Sequence, residues 1–231
     1  MNNDYQKLVE FWNSNFTLSE EDKKELERLG DEDYKQLAPS QKLYNVLALF
    51  KGSNTVLDYG CGSGWASIIM AKMGVKNITS VEVAHQSLEM VKCYAKAFGV
   101  SESIKTIPID EKWLNSQKEA SFGGFFCSNV IDVVPLDMAK DIVKNSAKVL
   151  QKGGLAVFGL NYYIQPMIME DRGYIVKDKQ VYINGILRLT SLTDEEWSDI
   201  FRDYYEIIDL SFFAWPGEEK ETRRLFVLKK K

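Results

Sequence analysis

From Asn54 to Leu160 the chain alternates short runs rich in β-branched and aromatic residues with longer stretches whose apolar residues recur at helical spacing. TVLDY precedes a helical stretch from Gly64 to Met73, and NITSVEV precedes one carrying Leu88, Val91, Tyr94, Ala95 and Phe98 on one stripe. SIKTIPI and GGFFCSNVI come next, then a stripe of Met138, Ile142, Val143, Val149 and Leu150, then GGLAVFGL. Strands joined through helices lie parallel and are covered on both faces, so the pattern predicts βαβ units and an α/β fold. Thr193-Asp194-Glu195-Glu196 has the capping pattern of a further helix, and YYEIIDLSFF and RRLFVLKK read as two final strands.

The ends of this pattern carry additions. Tyr5, Leu8, Val9 and Trp12 recur at helical spacing, Ser19-Glu20-Glu21-Asp22 starts a second helix through Leu29, and a third follows Pro39-Ser40. Residues 1–40 therefore read as a helical cap on a domain spanning 41–231. Gly173 to Ile183 reads as two short strands around a polar turn, a β-hairpin inserted after the fifth strand. Such an insertion stands above the carboxyl edge of the sheet, where ligands bind in open α/β folds. The segment from about Tyr163 to Leu189 is expected to act there as a lid and an acceptor-selecting wall.

The first strand leaves through Asp58-Tyr59-Gly60-Cys61-Gly62-Ser63-Gly64-Trp65. Alternating glycines let backbone approach a ligand, because no Cβ intervenes and positive φ costs little. A dinucleotide fingerprint wants glycine where Trp65 stands, and Asp58 would put negative charge beside a pyrophosphate. The loop suits a ligand with an amino group and no phosphate.

Composition bounds the partners. The 231 residues carry 29 Lys and Arg against 33 Asp and Glu, a net charge of -4 that gives no overall reason to sit on nucleic acid. Cys61, Cys93 and Cys127 are odd in number and widely spaced, which fits neither a disulfide framework nor a metal knuckle and suggests a reducing, cytoplasmic setting. No apolar run reaches the roughly 18 residues of a membrane span. No cluster of Asp, Glu or His has metal-ligand spacing, so no metal is expected, and the sequence is silent on oligomeric state.

VLDYGCGSG, the acid in SVEVAHQS, IPID, CSNVIDVVP and LQKGGLAVFGL occur in an order and spacing that resemble the class I S-adenosylmethionine-dependent methyltransferases, from about residue 40 to the C-terminus. The resemblance implies a Rossmann-like sheet of seven strands, mostly parallel with the last strand antiparallel. It implies S-adenosylmethionine as cofactor and S-adenosylhomocysteine as product, held by the turn with Asp58, Tyr59, Gly60, Cys61, Gly62 and Gly64. Glu82 would accept the ribose hydroxyls beside Val83. Asp110 would take the adenine amino group, with Ile109 lining the ring and Glu111 adjoining. Ser128 and Asn129 would hold the methionine portion.

In-line displacement at a sulfonium methyl needs mainly alignment, so few catalytic groups are expected. Asp132 and Tyr162 are the candidates for a base, and His85 reads as a helix-start residue. Acceptor selection is expected from Tyr5, Trp12 and Phe16, from Asn161, Tyr162 and Tyr163 after the fifth strand, and from Arg188 and Trp215. Arg223 and Arg224 read as alternating on the last strand without a function. A small-molecule acceptor is the expected substrate; a cofactor-binding sensor or scaffold, and a protein or RNA methyltransferase, remain alternatives.

Overall fold

The structure, a computed structural model, describes residues 3–15, 19–26 and 28–231. The N-terminal apolar stripe folds as α1 (Asn3–Asn15), followed by α2 (Glu20–Leu26) and α3 (Gln41–Val46). Ser40 caps α3 by accepting the Leu43 N–H at 3.2 Å. The alternating core then runs β1 (Val56–Tyr59), α4 (Trp65–Lys72), β2 (Ile78–Glu82), α5 (His85–Ala97) and β3 (Ile104–Pro108). Short α6 (Trp113–Ser116) leads into β4 (Phe122–Ser128), α7 (Leu136–Val149) and β5 (Leu150–Leu160).

After β5 the insertion differs from the expected hairpin. It comprises α8 (Pro166–Asp171) and an antiparallel sheet of three strands, β6 (Ile175–Lys177), β7 (Gln180–Ile183) and β8 (Ile186–Thr190). The cause is a second tight turn: Asn184 and Gly185 take φ +52° and +72°, as Asp178 and Lys179 take +47° and +65° in the first. Two successive positive-φ residues match the twist of the strands they join. Met169, Val181 and Leu189 give the insertion a small core of its own.

The chain closes with α9 (Asp194–Arg202), β9 (Tyr205–Phe213) and β10 (Arg223–Lys230). The expected capping box forms: Thr193 accepts the Glu196 N–H while the Glu196 carboxylate accepts the Thr193 N–H. The main sheet has the order β3-β2-β1-β4-β5-β10-β9. Neighbours from β3 through β5 are parallel, and β10 is antiparallel to both β5 and β9. Phe125, Phe158, Trp197 and Phe201 fill one face, and Leu43, Leu47, Phe50 and Phe126 the other. Each buried side chain of this size contributes about 1.5–3 kcal/mol of transfer free energy.

The order reverses between β1 and β4, since the chain moves outward from β1 to β3 and then returns to β4. A crevice outside the carboxyl ends of these strands is the place such a topology leaves for a ligand. Among the described residues, no helix is long and apolar enough to cross a membrane.

Candidate cofactor and acceptor site

Backbone bonds hold the glycine turn after β1. The Gly60 and Cys61 N–H groups both donate to the Val81 carbonyl, at 2.9 and 3.0 Å, tying the turn to β2. Gly60, Gly62 and Gly64 have φ of +69°, +51° and +81°. A Cβ on Gly64 would lie 2.7 Å from Val91, so this glycine serves the close approach of α4 to α5. Glu82, at the end of β2, accepts three backbone N–H groups: Gly62 at 3.0 Å, Val83 at 2.7 Å and Ala84 at 3.1 Å. Burial pushes its carboxyl pKa up, and those three bonds oppose the shift.

A cavity of about 310 Å³ opens above this arrangement. Its floor runs from Tyr59 to Ser63. Glu82, Val83 and Ile109 form one side, and Ser128, Asn129 and Val130 another. Asn129 reaches its place through φ +57°, with its N–H on the Gly159 carbonyl at 2.8 Å. Tyr5, Leu8, Val9 and Trp12 of α1 cover the cavity; Val133, Val134, Met138, Ile142 and Trp215 line much of the remainder. Asn13 fastens α1 down by accepting the His85 N–H at 3.1 Å, at the start of α5, where Ala84 supplies no cap. Arg188 of β8 adds a second hold, its guanidinium 4.2 Å from the Phe11 ring centre.

Several sequence-derived candidates stand off this wall. Asp58 is 2% exposed behind the turn, accepts the Ser67 hydroxyl at 2.5 Å, and so serves the N-terminus of α4. Asp110 is exposed and accepts the Lys112 N–H at 3.0 Å. Glu111 lines a neighbouring cavity of about 400 Å³ that shares Tyr59, Met138 and Ile142 with the first. Asp132 is buried and holds the Asn161 N–H at 2.6 Å, which ties the loop after β4 to the end of β5. Asn161, Tyr162, Tyr163 and Arg188 are not on the wall, and among the described residues none of the insertion is, so the cover over the cavity is α1. Phe16 lies outside the described residues.

Arg223 and Arg224 are busier than their sequence suggested. Both are buried. Arg223 pairs with Glu218 through Nε at 2.8 Å and through a terminal nitrogen at 2.6 Å, bonds the Asn161 side chain, and sits 4.3 Å from the ring centre of Trp215. Arg224 donates to the Asn161 and Leu192 carbonyls and lies 3.0 Å from the Asp194 carboxylate. Sequence reasoning also passed over Ser63, Trp65, Leu8, Val9, Met138 and Ile142 as wall residues. The available signal was the helical stripe itself, which reads identically whether it faces a core or a cavity.

Asp58 gives a stability prediction. Burial raises its pKa from 3.8 to about 7, against the Ser67 hydrogen bonds. Between those values the folded state binds more protons than the unfolded one, so this group's contribution is fullest below pH 4 and is lost as pH rises to 7. Asp58→Asn should therefore gain on the wild type by about 1–3 kcal/mol between pH 4 and pH 8 in urea unfolding of the free protein. Parallel stability curves would show that Asp58 ionises normally.

Residues 56–154, from β1 into β5, match the family described as "Methyltransferase domain". The match is to a methyltransferase domain and covers under half of the chain. The ubiquinone biosynthesis O-methyltransferase of Idiomarina loihiensis is 38% identical over 103 residues, 45% of this chain and 40% of that protein. The chain thus spans under half the length of that relative. Among solved structures, the 1,6-didemethyltoxoflavin-N1-methyltransferase of Burkholderia thailandensis, with S-adenosylhomocysteine bound, aligns at TM-score 0.69 and 14% identity, covering 100% of this chain and 92% of its own. The [4+2]-cyclase SpnF aligns at TM-score 0.63 and 13% identity, covering 82% and 80%. α1 and the insertion after β5 lie outside the matched stretch.

Proposed function

We propose that the protein transfers a methyl group from S-adenosylmethionine to a small molecule held under α1, releasing S-adenosylhomocysteine. The observation that carries this reading is the charge of the cavity wall. Among the described residues its one Asp, Glu, Lys, Arg or His is Glu82, beside the glycine turn. A wall without Lys, Arg or His disfavours a pyrophosphate, and a lone carboxylate favours a ligand bearing an ammonium and a sulfonium.

When bound, S-adenosylmethionine supplies a methyl group already activated for displacement. The chain's own groups then position. Glu82 has about four acceptor positions on its two oxygens, three of them used, which leaves one toward a ribose hydroxyl. Ile109 and Val83 would flank the adenine, and Ser128 and Asn129 the methionine portion. α1 would exclude water and align the acceptor. The O-methyltransferase relative supports a small-molecule acceptor, and the three free thiols support a reducing, cytoplasmic setting.

Thermal unfolding tests the cofactor. At ~100 times their dissociation constants, S-adenosylmethionine and S-adenosylhomocysteine should each stabilise by about 2.7 kcal/mol and raise Tm, whereas NAD should not. Equal stabilisation by NAD would sink the reading. A second reading, cofactor binding without methyl transfer, is supported by the likeness in fold to a protein named a [4+2]-cyclase and not a methyltransferase. Formation of S-adenosylhomocysteine during turnover distinguishes the two.

A further inference from the structure

The cavity wall also constrains the acceptor, if methyl transfer is the reaction. Among the described residues, the titratable groups on the wall besides Glu82 are Tyr5, Tyr59 and Cys61. Burial pushes the Tyr5 hydroxyl up to about 12, ahead of the fields of Glu111, Glu82 and Asp110. Burial likewise raises Tyr59 and Cys61, so all three keep their protons at neutral pH. Glu82 is occupied by three backbone N–H groups. Ser63, Ser128 and Asn129 do not titrate. Asp132 lies behind the wall on the Asn161 N–H, and the Arg223 charge is answered by Glu218. The census takes in every described residue of the wall.

We infer that the acceptor is a mainly apolar molecule without a carboxylate, phosphate or sulfate inside the cavity, and that its nucleophile is free of its proton without a protein base. A thiolate or an uncharged nitrogen satisfies this; an aliphatic alcohol does not. The nucleophile's lone pair forms the new bond to the methyl carbon as the carbon–sulfur bond breaks, with that bond's electron pair staying on sulfur. A thiol proton goes to water before attack, and an amine proton goes to water after it. An anionic substituent would be desolvated against Val133, Val134, Met138 and Trp215 with no Lys, Arg or His among the described residues of this wall to meet it.

Three probes of matched shape test this with S-adenosylmethionine and the full chain: 4-methylbenzenethiol, 4-methylbenzyl alcohol and 4-mercaptobenzoate. S-adenosylhomocysteine formation should be at least 100-fold faster with the thiol than with either of the others. Turnover of the alcohol or the benzoate within tenfold of the thiol would overturn the inference, as would no turnover of the thiol. Calorimetry with S-adenosylhomocysteine, run first, separates the two failures. Absence of binding there sinks methyl transfer itself, whereas binding followed by efficient use of the benzoate sinks only the acceptor class.

Discussion

Glu82→Ala should lower S-adenosylhomocysteine affinity roughly 10- to 100-fold and also lower the stability of the free protein. The first effect follows from losing the one charge-assisted hydrogen bond left for the ribose, worth about 1.5–3 kcal/mol, where 1.4 kcal/mol is tenfold. The second follows from the three N–H groups of Gly62, Val83 and Ala84 that the carboxylate accepts. Cavity water can rehydrate part of that set, so a net loss of about 2 kcal/mol is expected in urea unfolding. Glu82→Gln should fall between, since one oxygen still accepts and the new amide meets donors. Asp110→Ala is the control: its exposed side chain should change stability by less than about 0.5 kcal/mol. Undiminished S-adenosylhomocysteine affinity in Glu82→Ala would remove the carboxylate from the site.

Gly60→Ala should be nearly as severe, by a different route. Its φ of +69° costs an alanine about 1–2 kcal/mol. The added Cβ would stand 2.3 Å from Val130 Cγ2, and overpacking of this kind costs about 1–3 kcal/mol more. A Tm lower by roughly 5–15 °C should accompany loss of S-adenosylhomocysteine binding, because the cavity floor shifts. Gly60→Ala with Val130→Ala should recover the packing part and keep the backbone part. Full recovery in the double variant would show that the turn tolerates a side chain at this φ.

What could be read from the sequence was what is local in it. The alternation from Asn54 to Leu160 announced the parallel sheet, because strands covered on both faces and their crossover helices each leave a periodic trace. The glycine turn and Glu82 were legible for the same reason, each lying at one strand end. The third strand of the insertion was also within reach: Asn184-Gly185 between apolar runs is a strong hairpin signal just beyond the Gly173 to Ile183 hairpin.

The wall was harder, because it joins distant segments. Tyr5 to Trp12 meet residues near Gly60 and Met138 only in the folded chain. Charge was misleading for a related reason. Asp132, Asn161, Arg223 and Arg224 resemble exposed polar residues along the chain, yet folding buries Asp132 and both arginines. Asp132 and Arg224 each bond Asn161, and Arg223 bonds its side chain. A buried charge held this way is recognisable once its partners are known, and the shared partner Asn161 lies 29 to 63 residues away.

A crystal structure with S-adenosylhomocysteine bears most directly on the proposed chemistry. The ribose should lie against Glu82, the adenine between Val83 and Ile109, and the homocysteine along Gly60 to Gly62, with the sulfur facing the apolar wall under α1. The ligand bound elsewhere, or in this cavity with the ribose away from Glu82, would contradict the account.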